Sequence, residues 1–232
     1  MPSFLENITK FYGTGEPNAD GQSLPEFLDA YDPHRYETPS CTTDAVIFAH
    51  SGAFETLDDL KVLLIKRSNH PCIGFWALPG GFADMRENLS ETARRELMEE
   101  TGVEGLIMEQ IGTFGNYDRD PRARVITTAY MALVNEKDVK VHAGDDAADA
   151  IWCHLHLELV ETEAQNGKIR NLYSLRIQNV ERGLDTTALV EHTESTGIIK
   201  EADYKVVEMG MLAADHAAIL VNALVVLGRR LC

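Results

Sequence analysis

Positive charge is scarce in this 232-residue chain: 21 Lys and Arg stand against 37 Asp and Glu, a formal net charge of −16. Such a surface repels phosphate backbones and acidic lipids, so neither nucleic acid nor a membrane is an expected partner. A small anionic ligand would need a local positive element or a bound metal ion. Cysteine is also sparse. The four, Cys41, Cys72, Cys153 and Cys232, form no CxxC pair and keep no metal-type spacing with the eight histidines. This excludes a disulfide framework and a zinc module. No apolar run approaches the roughly 20 residues needed to span a bilayer. The start, MPSFLENITKFYG, has no basic segment followed by an apolar one. A cytoplasmic protein is therefore expected. Gly (17) and Pro (8) are too few to suggest disorder, and 44% apolar with 25% charged residues matches an ordinary globular protein.

Residues 1–40 are polar and rich in turn formers, and read as an N-terminal extension with one short helix near FLDAY. Residues 41–230 read as the main domain. Short β-rich runs, AVIFAH (45–50) and KVLLIKR (61–67), predict neighbouring strands, and GLIMEQIGTF (105–114), RVITTAYMALV (124–134) and AIWCHLHLEL (150–159) predict three more. Alternation along the last puts His154 and His156 on one face, where a structural role outweighs metal binding without a third ligand. A β-rich insertion follows at about 171–209. The chain closes with an amphipathic stretch in which Leu212, His216, Ile219, Leu220, Ala223 and Leu227 share a stripe, a packing helix ended by Gly228.

The stretch GGFADMRENLSETARRELMEETGV, residues 80–103, carries the chemistry. Asn88 and Glu91 suit the first turn of a helix, Leu89, Ala93 and Leu97 give it a buried stripe, and Gly102 stops it. Glu96, Glu99 and Glu100 then stand within one turn on one side, at the end where the helix dipole is already negative. Arg95 can pair with Glu99 or Glu91 but cannot neutralise the cluster. A bound cation removes the conflict. An all-oxygen site beside the Gly80–Gly81 turn suits hard Mg²⁺ or Mn²⁺, which keep positions open for substrate phosphate oxygens.

Gly81, Glu87, Arg95, Glu96, Leu97, Glu99, Glu100, Gly102 and Val103 fit G-x5-E-x7-R-E-U-x-E-E-x-G-U, and on these residues the chain resembles the Nudix hydrolases. The resemblance runs from about Pro39 to the terminal helix and is weak before it and across 171–209. It implies an α/β fold, a Nudix-type α/β/α sandwich with a mixed sheet, here with the extra β-rich insertion. It implies metal-dependent hydrolysis of a nucleoside diphosphate linked to a group X. Glu96, Glu99 and Glu100, with the Gly80 carbonyl, would bind the metal, and Arg95 would orient the glutamates. The general base is left open between Glu96 and the Asp145–Asp146 turn.

GNYDRDPRARVITTAY (115–130) and KRSNHPCIGFWALPGGF (66–82) resemble the ADP-ribose pyrophosphatase branch, with Pro121 standing 19 residues past Gly102. Arg67, Arg122 and Arg124 are candidate phosphate or ribose contacts, because guanidinium forks suit such oxygens. Tyr117 or Phe114 is a candidate for stacking on adenine. The expected ligand is a small nucleoside diphosphate compound. The branch also contains regulators in which a winged helix follows, and the close of the chain soon after its last helix argues against one here. A homodimer surface, a lid and extra core are all open uses for the insertion.

Overall fold

The computed structural model describes residues 4–144 and 147–231. Two compact units divide the chain, residues 1–38 and 39–232. In the first, α1 (Leu24–Ala30) starts where the backbone N–H and hydroxyl of Ser23 donate to Glu26, at 2.8 and 2.6 Å. This satisfies a donor that the first helical turn leaves free.

The second unit is built on one ten-stranded sheet. Its strands are β1 (Ser40–His50), β2 (Leu60–Arg67), β3 (Trp76–Ala77), β4 (Gly80–Phe82), β5 (Glu109–Phe114), β6 (Val125–Asn135), β7 (Ala147–Gln165), β8 (Lys168–Asn179), β9 (Leu184–Ser195) and β10 (Ala202–Glu208). The spatial order is β10-β9-β8-β7-β2-β1-β6-β5, with β3 on β2 and β4 on β1. Strands β1 and β6 run parallel, from Ser40 opposite Val125 to His50 opposite Asn135, while the neighbouring pairs are antiparallel. The sheet is therefore mixed, and β1 at its centre is buried on both faces.

Two helices cover those faces, α2 (Leu89–Thr101) and α3 (His216–Leu231). Because side chains alternate along a strand, Ala45, Ile47 and Leu63 meet Leu97 of α2, whereas Val46, Phe48, Val62 and Leu64 pack with Ile219, Leu220 and Leu224 of α3. Each fully buried Leu or Ile contributes about 1.5–3 kcal/mol. Truncating Leu97 to Ala would cost about 2–5 kcal/mol and loosen the helix that carries the glutamates. The sandwich is thus an α/β/α one, as the Nudix resemblance implies.

The segment expected to be an insertion lengthens this sheet. Strand β7 runs on to Gln165, and β8, β9 and β10 add to it as an antiparallel meander. Leu175, Ile177, Ala188 and Val190 join the core under α3. His192 is buried there with its ring stacked 4.3 Å from Tyr204.

Other expectations need correction. Residues 105–108 do not belong to β5, which begins at Glu109; Gly105 takes a left-handed φ of 75° that a strand cannot hold, and Ile107 is exposed. Gly228 does not end the last helix, which continues to Leu231. A Cβ at 228 would stand 3.3 Å from Leu57, so this glycine admits a close neighbour rather than a stop. Leu212 lies before that helix, in a bridge to Trp76. Among the described residues no helix is long and apolar enough to cross a membrane, and Cys41, Cys72 and Cys153 are free thiols. His156 hydrogen-bonds Asp58 at 2.9 Å.

Candidate active site

The glutamate helix begins where the Glu91 carboxylate accepts from the Asn88 backbone N–H at 2.8 Å. It ends at Gly102, with φ 70° and its N–H donating to the Met98 carbonyl. Both ends follow the residue types that favour them. Register is then set by burying Ala93, Leu97 and Thr101, which leaves Glu96, Glu99 and Glu100 beside β4.

Arg95 organises the cluster. Its guanidinium takes both Glu87 oxygens at 3.0 Å, donates to Glu96 Oε1 at 2.6 Å, Glu99 Oε2 at 3.0 Å and the Phe82 carbonyl at 3.0 Å. The expected Glu99 partner is present, but Glu87 takes the place proposed for Glu91, which is occupied with the helix start. The Arg95 fork pulls the Glu87 carboxyl down to about 2.

Glu100, unlike Glu96 and Glu99, takes no hydrogen bond from Arg95. Gly80 N–H donates to Glu100 Oε2 at 2.8 Å. Burial nonetheless pushes Glu100 up to about 8, with Glu96 and Asp44 adding repulsion. Burial also raises Glu96, against the pull of Arg95. A Cβ on Gly81 would stand 2.4 Å from the Glu96 carboxyl carbon, and one on Gly80 would stand 2.1 Å from the Thr43 carbonyl oxygen. Both glycines are there because backbone and carboxylate pass too closely for a side chain.

Gly80, Gly81, Glu96 and Glu100 line a cleft of about 360 Å³. The same cleft is lined by Arg67, Arg119, Arg122, Asp44, Asp120 and His216. Arg67 donates Nε–H to the Pro71 carbonyl at 2.7 Å. Arg122 pairs with Asp120 at 2.8 Å and lies 5.3 Å over the Phe82 ring. Arg119 is only 7% exposed and makes a two-pronged contact with Asp215, Nε to Oδ2 at 2.8 Å and Nη2 to Oδ1 at 2.9 Å.

Of the residues singled out in the sequence, Gly80, Glu96, Glu100, Arg67 and Arg122 line the cleft. Arg95 and Glu99 do not line it; Arg95 is linked to it through its contact with Glu96, and Glu99 through Arg95. Arg124 does not line it; its guanidinium donates to the Asn116 carbonyl at 3.1 Å. Tyr117 is 81% exposed and absent from the cleft walls, and Phe114 packs against the core. Phe114 ends β5 with its ring on the core, and Tyr117 follows in the loop, outside the cleft. Asp145 and Asp146 lie outside the described residues.

Sequence reasoning missed Asp44, Arg119, Asp215 and His216. Asp44 lies in β1 but just before the run expected at 45–50, and His216 was absorbed into an apolar stripe. An Asp directly before an apolar helical run is a helix-start signal that would have put residues 215 and 216 at an open helix mouth.

The oxygen-only donor set suits a hard divalent cation. Glu96 Oε2 and Glu100 Oε1 accept no hydrogen bond among the described residues, and burial first, then repulsion from Glu96 and Asp44, raises the affinity of Glu100 for a proton. As the side chains stand, no three carboxylates among the described residues converge tightly enough to enclose an ion, because Arg95 holds oxygens of both Glu96 and Glu99.

Comparison with known proteins settles the family: the NUDIX domain model matches residues 48–173, more than half of the chain. The chain belongs to the Nudix family. A crystal structure of a MutT/nudix family protein from Enterococcus faecalis superposes with a TM-score of 0.60 and 32% identity, covering 87% of this chain and 68% of that one. An ADP-ribose pyrophosphatase from Methanocaldococcus jannaschii is 44% identical over 42% of this chain and 57% of its own. An ADPR responsive transcriptional repressor from Acinetobacter baylyi is 42% identical over 48% of this chain and 43% of its own. The chain therefore spans about half the length of these curated relatives. It is a Nudix protein related to ADP-ribose pyrophosphatases, a family that generally uses divalent metals such as Mg²⁺ or Mn²⁺.

Proposed function

We propose that this Nudix protein hydrolyses the diphosphate linkage of ADP-ribose, or of a closely related nucleoside diphosphate compound, with Mg²⁺ or Mn²⁺, giving AMP and a sugar phosphate. The observation that carries this reading is one cleft lined by the half-buried carboxylates of Glu96 and Glu100 together with three arginines, Arg67, Arg119 and Arg122. Such a polarity suits a cation bridging to a diphosphate. Glu96 and Glu100 are the principal candidate ligands, with Glu99 and the Gly80 carbonyl as further oxygens. When bound, the cation would draw charge from a diphosphate oxygen and acidify water. Arg95 fixes the Glu96 and Glu99 carboxylates, and the Gly80 N–H fixes Glu100. Arg67 and Arg122 supply positive charge for phosphate or ribose oxygens. The base is either Glu96 or an acid of the Asp145–Asp146 turn.

A second reading, a sensor that binds ADP-ribose without cleaving it, is favoured by the likeness to the ADPR responsive repressor. DNA binding as a partner activity belongs to that reading. Retention of Glu96, Glu99 and Glu100 together weighs towards catalysis. Oxidised nucleoside triphosphates and dinucleoside polyphosphates are the alternative enzyme substrates. The deciding experiment incubates the protein with a panel of ADP-ribose, ADP-glucose, diadenosine polyphosphates and an oxidised nucleoside triphosphate, with and without Mg²⁺, and identifies products by mass spectrometry. AMP from ADP-ribose only with metal supports the enzyme; tight binding without products supports the sensor.

A further inference from the structure

His216 opens α3 at the cleft and is 12% exposed. Its Nδ1 accepts the Leu78 backbone N–H at 2.9 Å. That bond requires a bare Nδ1, so the ring proton resides on Nε2. That Nε2 stands 3.8 Å from Asp44 Oδ1, beyond hydrogen-bond reach. Asp44 itself is anchored by the Thr127 hydroxyl at 2.7 Å. On its other side Arg119 Nη2 stands 3.7 Å away, also too far for a direct bond. Asp215 takes only two of the five guanidinium N–H groups of Arg119. A donor, a carboxylate and a second donor thus line one wall, each separated from the next by a gap that a ligand oxygen would bridge.

We propose that His216 and Arg119, on either side of Asp44, form a subsite for a sugar diol of the substrate, with His216 Nε2–H as a specificity-determining donor. The central carboxylate decides the chemistry. It repels a phosphate, whereas a hydroxyl can donate to Asp44 and accept from the flanking N–H. Two neighbouring hydroxyls match the alternation. This rests on the reading of the cleft as a nucleoside diphosphate site and deepens it, since it assigns the wall beyond the arginine-lined phosphate path to a sugar.

Two substitutions separate this role from a structural one. His216→Asn keeps an acceptor near the Leu78 N–H and removes the distal donor. His216→Gln keeps a donor near the Nε2 position and disturbs the Leu78 contact. With ADP-ribose and Mg²⁺, His216→Asn is expected to raise KM about three- to tenfold, the worth of one neutral hydrogen bond. Its kcat stays within twofold of the parent value and its thermal midpoint is unchanged. His216→Gln is expected to lower the midpoint while keeping KM closer to the parent value. Among mono-deoxy analogues of ADP-ribose, at least one is expected to bind the parent protein less well yet bind His216→Asn with no further loss. A KM for His216→Asn within twofold of the parent, or additive losses for every analogue, overturns the subsite. If the parent protein rejects ADP-ribose but cleaves another sugar-bearing compound of the panel, the substrate assignment falls and the same variants are scored on that compound. If it neither cleaves nor binds any of them, both ideas fall.

Discussion

Replacing Gly81 with alanine tests whether the carboxylate geometry matters, because the perturbation is confined to one place. The new Cβ would stand 2.4 Å from the Glu96 carboxyl carbon and 2.4–2.5 Å from its two oxygens. Ordinary contact begins near 3.4 Å, so the carboxylate must withdraw by about 1 Å. The clashing atoms are the free end of a flexible side chain, and residue 81 has no left-handed φ. The backbone can therefore accept alanine. A stability change within about 1 kcal/mol is expected, with a small entropic gain offsetting the rotamer shift. Turnover responds differently, since a misplacement near 1 Å costs about 10²-fold in rate. Displaced Glu96 also breaks its 2.6 Å contact with Arg95, the bond that holds the oxygens in register. ADP-ribose hydrolysis at saturating Mg²⁺ should fall about 100-fold, while the urea midpoint stays near the parent value. Turnover within threefold of the parent, with folding intact, would refute the reasoning that Glu96 must stand over Gly81.

Glu100→Gln should lower turnover by several orders of magnitude without unfolding the chain, because the amide oxygen can still accept the Gly80 N–H; calorimetric Mn²⁺ titration should show weakened metal binding, and unchanged affinity would remove Glu100 from the ligand set. Arg95→Lys keeps one charge but loses the fork that spans Glu87, Glu96 and Glu99. It should cut kcat about 10- to 100-fold with a smaller change in KM, and equal kcat would show that charge alone suffices. Burial lowers the His192 pKa below 6.5, so the unfolded chain binds the proton more readily. Stability from this group is present above about pH 6.5 and declines as pH falls, by up to about 1.4 kcal/mol per unit while the buried ring stays neutral. Tyr173 of β8, Glu194 of β9, Asp203 and Tyr204 of β10 and Arg229 of α3 surround it. His192→Phe should flatten the fall in urea midpoint between pH 7 and 5, and parallel slopes for both proteins would exclude His192 as its source.

The glutamate helix was legible in the sequence because its determinants are local. Caps, the i, i+4 apolar stripe and the terminal glycine set its limits, and helical geometry then dictated that Glu96, Glu99 and Glu100 share a side. Most strands were legible for the same reason, although the one expected from Gly105 begins only at Glu109, and short β3 and β4 lack enough residues for alternation to register. The rest of the cleft lining was not legible. Asp44 comes from β1, Arg67 from β2, Arg119 and Arg122 from the loop after β5, and His216 from the mouth of α3. No pattern over a turn or a strand links these positions. Only the strand pairing of the sheet and the packing of α3 on it bring them into one cleft with the glutamates. Arg124 and Tyr117 illustrate the converse, since both are close to Arg122 in sequence yet turned out of the cleft. Sequence alone determined which carboxylates gather, because a helix repeats every few residues. Which cations and donors oppose them was decided by long-range strand pairing and burial, whose partners lie tens to more than a hundred residues apart.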